Sequence, residues 1–262
     1  MATGFQHRKS FGQHFLKSDE TAREIVNCLR CPETIDTILE IGPGQGVLTR
    51  HLTNLHNKII YVSEIDKRII QFLQSELKFP QDKIIEGDFL KADIQTIIPQ
   101  RFCIIGNFPY NISSQILFRV LEMKDKIPVV VGMFQREMAK RVTAKNGNKD
   151  FGVITVLVQA YYEVAYLFEL PPDAFDPPPN VFSAVIRLTR KKEDPNCSEK
   201  ILREVVKTAF NQRRKKLSNA ISSIAGGMDA LLKHDFANLR AEQLSVEDFI
   251  SLAATIEKQR LQ

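Results

Sequence analysis

Nowhere in its 262 residues does the sequence hold an apolar run of about 18 or more, so it offers no segment able to span a membrane as a helix. Its start, Met1 to Ser10, is polar and basic rather than built like a secretory signal, and we read the protein as cytoplasmic. Cysteine is scarce. Of four, only Cys28 and Cys31 form a C-x-x-C. A zinc site needs a second ligand pair, which Cys103, inside an apolar run, and the solitary Cys197 do not supply. We therefore expect reduced cysteines near a helix end and no metal. No internal repeat or low-complexity tract is visible, which sets repeat architectures aside.

What is present is the composition of an ordinary globular protein, 44% hydrophobic and 26% charged. The length admits one large α/β domain with a small appendage, enough to bury a core without disulfide or metal. The net charge of +5 hints at an acidic partner, and its distribution says more. Between Lys200 and Lys216 stand seven basic residues and one acidic residue, Glu204. Taken alone, such a run is the solvated face of a helix.

Short apolar runs alternate with segments of helical period. Thr37 to Ile41, Lys58 to Ile65, Lys83 to Glu86, Phe102 to Gly106 and Pro128 to Phe134 read as strands. The stretches after Gly46, Asp66, Ile112 and Arg136 read as helices. This alternation calls for a parallel sheet covered on both faces, in which strands are continuously apolar, as Val129-Val130-Val131 is. After Phe151 the rhythm changes. Val153 to Tyr166 and Val181 to Leu188 read as long strands with no helix between them, an antiparallel hairpin closing one sheet edge. From Asp194 onward the pattern is helical, with Leu202, Val205, Val206, Ala209, Phe210, Leu217 and Ile221 gathering on one face. We place a boundary near Lys192 to Asn196, where charge and Pro195 interrupt the pattern.

The first strand runs into Glu40-Ile41-Gly42-Pro43-Gly44-Gln45-Gly46. Glycines let the backbone turn sharply and approach a ligand at the carboxyl ends of the strands. The spacing is G-x-G-x-G, whereas a dinucleotide fingerprint is G-x-G-x-x-G. With Glu40 before it, the loop resembles that of class I methyltransferases. Glu64, ending the second strand, can accept hydrogen bonds from both ribose hydroxyls of a nucleoside. Gly87-Asp88-Phe89, ending the third, sets a carboxylate beside an adenine amine and an aromatic against its face.

The fourth strand ends in Asn107-Phe108-Pro109-Tyr110, and Asn111-Ile112-Ser113-Ser114 opens a helix. Adenine's exocyclic nitrogen is a poor nucleophile because its lone pair is delocalised into the ring. The Asn107 side-chain oxygen and the Pro109 carbonyl can hold the two amine hydrogens and turn the lone pair toward a methyl donor. Positioning and electrostatics then carry the rate without a strong base. Tyr110 would stack on the target base, which has to leave its helix or loop to reach the pocket.

These boxes, with Phe11-Gly12-Gln13-His14-Phe15-Leu16, Phe175 to Val185 and Ala209-Phe210-Asn211-Gln212-Arg213-Arg214-Lys215, resemble the KsgA/RsmA family of ribosomal RNA adenine dimethyltransferases over essentially the whole chain. The resemblance implies a class I, Rossmann-like α/β fold with a mostly parallel seven-stranded sheet. Residues 1–192 would be the S-adenosylmethionine-binding catalytic domain and 193–262 a small helical RNA-binding domain. It implies that His14, Leu16, Gly42, Glu64, Asp88 and Asn107 line the cofactor site, and that Phe175 is a second aromatic against the target adenine. Phe108 stands where these enzymes often carry leucine and contributes mainly bulk beside the substrate; His14 stands where some members have asparagine. The basic helix becomes an RNA-backbone contact through Arg213 and Arg214, with a competing, purely structural role for Arg213 in docking the helix on the catalytic domain.

The activity implied is transfer of two methyl groups to each of two adjacent adenosines near the 3′ end of small-subunit rRNA, by a monomer acting on immature small subunits. Three other functions compete. One is an antibiotic-resistance methyltransferase of large-subunit rRNA, which shares the Asn-x-Pro-Tyr box. Another is an RNA-binding assembly factor in which catalysis is secondary. The last is a nicotinamide-linked oxidoreductase.

Overall fold

The computed structural model describes residues 13–261. Its strands are β1 (Phe15–Leu16), β2 (Thr37–Ile41), β3 (Ile59–Glu64), β4 (Ile84–Glu86), β5 (Phe102–Asn107), β6 (Val129–Gln135), β7 (Tyr162–Leu170), β8 (Phe175–Asp176) and β9 (Ser183–Arg190). Seven of them form one sheet in the order β4-β3-β2-β5-β6-β9-β7, while β1 and β8 pair separately. The pairs among β2 to β6 are parallel and β9 runs antiparallel to β6. All five residues of β2 and the first five of β5 are buried. This is what a sheet covered on both faces demands, and it is why these strands read as unbroken apolar runs.

Strand order reverses at β2. The chain moves outward to β3 and β4, then crosses back to place β5 on the other side of β2. Ligands bind in the crevice beyond the strand ends at such a reversal. The register Ile41↔Gly106 brings Gly42 and Asn107 to that crevice. Capping fixes where the flanking helices begin: Ser18 accepts from Thr21 N ahead of Asp19–Cys28, and Asp66 from Arg68 N ahead of Lys67–Ser75. Ile25, Val26, Ile38, Leu52 and Leu73 pack into the core on one side of the sheet.

The expected strand from Val153 to Tyr166 is corrected. Val153–Tyr161 is a helix, and β7 starts only at Tyr162. Seven of that helix's nine residues are buried, so it is apolar nearly all round and packs against Glu199–Asn211 and Val246–Arg260. Burial on every side overrides the strand preference of its β-branched residues. The expected pair at the sheet edge stands with that later start: β7 and β9 are neighbours there, β9 against β6 and β7 outermost.

The chain divides into two compact units. One runs to Ala139 and adds Ala165–Arg190; the other holds Lys140–Val164 and the chain from Lys191. A single cut near residue 192 therefore misses the excursion of Lys140–Val164 into the second unit. Within that unit Phe210 lies against Phe151 and Phe249, with ring centroids 6.1 and 5.7 Å away. Val246–Arg260 opens with a reciprocal cap between Ser245 and Asp248. No helix of the described residues is long and apolar enough to cross a membrane.

Candidate active site

The glycine loop turns over the ends of β2 and β5. Gly42 and Gly44 have φ of +68° and +53°, left-handed values that residues with a side chain rarely adopt. A Cβ on Gly44 would sit 2.7 Å from the Phe15 ring, so β1 closes over a loop that must stay bare. Gly42 N donates to the Ser63 carbonyl at 3.0 Å, tying the loop to β3.

Three neighbouring recesses share Gly42. The first, a cavity of about 200 Å³, is bordered by Gly42, Ser63, Glu64, Ile65, Asp88 and Phe89. The second, about 80 Å³, is bordered by His14, Gly42, Glu64, Asn107, Pro109 and Tyr110. Leu16 borders a third with Glu40, Gly42 and Asn107. All six residues expected to line a cofactor site thus meet around one glycine.

Two buried carboxylates end adjacent strands. Glu64, 7% exposed, accepts from Ile65 N and Asp66 N at 2.8 and 2.9 Å, and from the Gly44 backbone. Burial raises its pKa above the usual carboxylate value, against the pull of those N–H groups. Glu40, fully buried, is pushed up to about 8 by desolvation, with Glu64 adding and the Thr49 hydroxyl opposing. That hydroxyl donates to Glu40 at 2.6 Å. Asp88 accepts from Leu90 N at 3.0 Å and stays partly exposed at the cavity rim. Ser63 Oγ is buried beside the same cavity without a hydrogen-bond partner among the described residues. An unpartnered hydroxyl, a hydroxyl-seeking carboxylate and an apolar floor at Phe89 fit a polar nucleoside such as that of S-adenosylmethionine.

At the second recess, Asn107 Nδ2 donates to the His14 carbonyl at 2.7 Å, which leaves Oδ1 as the outward acceptor. The Pro109 carbonyl already accepts from Ile112 N at 3.2 Å and the Ser113 hydroxyl at 3.0 Å. It is thus a shared acceptor rather than a free one. The Tyr110 ring stacks near the His14 ring, centroids 5.4 Å apart, and its hydroxyl bonds that of Ser183. Burial raises the Tyr110 pKa, so the phenol stays neutral. His14 Nδ1 is 2.7 Å from the Pro177 carbonyl, which holds the ring in place.

Four expected substrate residues are placed less simply. Phe108, 1% exposed, wedges against Gly106, Gly132 and the Phe134 ring, so it supports Asn107 from beneath. Phe175 is also 1% exposed: it pairs with Leu16 of β1 through β8, and its ring belongs to the apolar core. Arg213 binds Glu242 at 2.6 Å and the Lys149 carbonyl at 2.6 Å, a structural role inside the second unit rather than the expected docking on the catalytic domain. Arg214 is exposed. Phe11 and Gly12 of the first box lie outside the described residues.

Sequence reasoning missed Ser63 and Ile65. The signal for Ser63 was one polar residue inside the apolar run of β3. Ile65, 48% exposed on the rim of both cavities, gave none. The cysteines pair unexpectedly: Cys31 Sγ lies 2.9 Å from Cys103 Sγ, not bonded to its C-x-x-C neighbour.

Comparison with known proteins agrees with this geometry. The family model described as ribosomal RNA adenine dimethylase matches residues 4–258. The ribosomal RNA small subunit methyltransferase A of Cytophaga hutchinsonii is 47% identical over 246 residues, covering 94% of this chain and 95% of that protein. Its counterpart in Bacteroides thetaiotaomicron is 45% identical over 258 residues, covering 96% and 94%. Among solved structures, a dimethyladenosine transferase from Plasmodium falciparum superposes with a TM-score of 0.82 at 23% identity, over 94% of this chain and 98% of that one. The 23S rRNA methyltransferase ErmE superposes at 0.71 with 24% identity, over 93% and 99%. Both likenesses establish the class I methyltransferase fold. With the family model covering nearly all of the sequence and a relative 47% identical over 94% of it, the chain belongs to the ribosomal RNA adenine dimethylase family.

Proposed function

We propose that the protein methylates N6 of two adjacent adenosines near the 3′ end of small-subunit rRNA, twice each, with S-adenosylmethionine as donor. It does so in the cytoplasm, as a monomer, on immature small subunits during ribosome biogenesis. The observation that carries this reading is the Asn107 amide at the recess, its Nδ2 held by the His14 carbonyl so that Oδ1 is left as the acceptor.

The cofactor supplies an electrophilic methyl group on a sulfonium. The chain's own residues do the rest. Glu64 accepts the ribose hydroxyls, Asp88 takes the adenine amine of the donor, and Phe89 and Ile65 enclose its ring. Asn107 Oδ1 and the Pro109 carbonyl receive the target amine's hydrogens, the second in competition with the Ser113 hydroxyl. Held this way, the nitrogen lone pair is released from the ring and aimed across the recess. Tyr110 stacks on the extruded base, and its bond to Ser183 fixes the ring plane. The proton lost from nitrogen leaves to solvent, since a methylated aminium is strongly acidic.

Arg214 and Lys215, both exposed, contact RNA phosphates in this reading. Incubating the protein with unmethylated small subunits and S-adenosylmethionine, then mapping dimethyladenosine in both rRNAs, tests the proposal. Modification confined to the small-subunit RNA is expected. Its appearance in large-subunit RNA instead, or in neither, overturns the proposal.

A further inference from the structure

The loop between β8 and β9 is pinned to the wall of the Asn107 recess at two points. The Pro177 carbonyl meets the His14 ring, and the Ser183 hydroxyl meets that of Tyr110. Between these pins the chain presents Val181 and Phe182, 37% and 40% exposed. Phe182 is held: its carbonyl accepts from Arg136 N at 2.9 Å, and the Arg136 guanidinium lies 4.9 Å from its ring centroid. On its other side Arg136 faces Glu169 at 3.6 Å, a carboxylate that also receives the Tyr166 hydroxyl at 2.6 Å.

Register places this aromatic at the mouth of the site. Asn107 pairs with Met133, Met133 with Val185, and Gln135 with Ser183. Phe182 and Arg136 therefore stand just past the strand ends, on the edge of the sheet where Asn107 sits. A lone exposed phenylalanine elsewhere needs no explanation. Here, extruding one adenosine removes a stacking partner from the nucleotides on either side, and an aromatic face backed by a cation is the surface that replaces it.

We propose that Phe182, with Arg136 over its ring, is a stacking platform for a nucleotide flanking the target adenosine in the substrate RNA. This rests on the methyltransferase reading above. Every base has a π-face, so the platform tolerates any base, and Arg136 turns from Glu169 toward the adjoining phosphate.

Steady-state methyl transfer to unmethylated small subunits by the full chain tests it. Phe182→Ala raises KM for the subunits by roughly 5- to 150-fold, the range expected for loss of one base stack, with kcat and S-adenosylmethionine affinity unchanged. Phe182→Tyr restores KM and Phe182→Leu does not, which separates stacking from bulk. Arg136→Ala lowers the salt dependence of KM. An unchanged KM in Phe182→Ala or Phe182→Leu, with an active wild type, overturns the platform and leaves the methyltransferase reading intact. A wild type that forms no dimethyladenosine on these subunits removes both.

Discussion

Asn107 Nδ2 donates to the main-chain carbonyl of His14 at 2.7 Å, so the segment before β1 decides which end of the Asn107 amide faces the recess. The asparagine amide meets this demand by carrying donor and acceptor on separate atoms, so that one can be held while the other stays available. Aspartate keeps the acceptor and loses the donor. Its second oxygen would face the His14 carbonyl, turning the side chain away. We expect Asn107→Asp to lower kcat by about 100-fold or more, the scale seen when one polarising group is lost from a preorganised site. S-adenosylmethionine affinity should fall much less. Single-turnover methyl transfer with parallel calorimetry checks this, and near-normal kcat in the Asp variant would refute the role of the amide.

Glu64 offers its carboxylate to the cavity while three backbone N–H groups hold it from behind. A hydrogen bond to a charged acceptor is worth about 1.5 to 3 kcal/mol, so Glu64→Gln should weaken S-adenosylmethionine binding by roughly 10- to 100-fold. Because burial raises the Glu64 pKa, wild-type affinity should also decline as pH falls toward that raised value, and the Gln variant should lose this pH dependence. Titration calorimetry at several pH values decides, equal affinities for the two proteins being the contrary result.

Glu40 contributes to stability in the opposite pH direction from an ordinary surface carboxylate. Its carboxyl titrates near 4.5 when exposed and at about 8 when folded, so folding takes up a proton between those values. The stabilisation is complete below the unfolded value and is lost as pH rises through the folded one. One proton gives at most about 1.4 kcal/mol per pH unit, hence a few kcal/mol across the window. Thermal melts of wild type against Glu40→Gln should diverge in slope between about pH 5 and 8.5, the wild type losing Tm faster. Parallel curves would rule Glu40 out as the source.

Much of this site is legible in the sequence, and the reason is local. Gly42 follows β2 and Asn107 closes β5, strands buried along their length that announce their own ends by where the apolar run stops, while Glu64 and Asp88 stand at the ends of the less buried β3 and β4. Phe175 was not legible in this way. Its burial depends on β8 pairing with β1, a register between residues about 160 positions apart that no short window contains. Val153–Tyr161 failed for the converse reason: its β-branched run is locally a strand, and only packing inside the second unit makes it a helix. Arg213 and Arg214, adjacent and chemically identical, are separated by Glu242, which lies 29 residues from Arg213.

That separation gives opposite expectations for neighbouring arginines. Arg213→Ala breaks a charged hydrogen bond and a carbonyl contact in a partly exposed setting, and should cost about 1 to 2 kcal/mol of stability. Arg214→Ala should leave stability within about 0.5 kcal/mol while lowering the salt dependence of RNA binding by about one phosphate contact. Denaturant melts and binding to small subunits over a range of salt separate the two effects. Equal loss of stability in both variants would contradict the assignment.

The tip of β5 leaves no room for a single methyl group. A Cβ on Gly106 would lie 2.5 Å from the Ile41 carbonyl oxygen and 2.8 Å from the Phe108 ring. The ring could shift; the carbonyl belongs to the backbone of β2, held by the Ile41↔Gly106 register, and cannot yield without moving β5. Overpacking of this kind costs about 1 to 3 kcal/mol. Since Asn107 is the next residue, the displacement reaches the acceptor oxygen directly, and a misplacement on the order of 1 Å lowers rate by about 100-fold. Gly106→Ala should therefore lose far more methyl transfer than its melting point implies, whereas Gly147→Ala, with open space around its Cβ, should show only the strain of its positive φ. Activity measured well below the Tm of each variant isolates the positional effect, and a Gly106→Ala variant that turns over normally while folded would show that the strand end is not what aims Asn107.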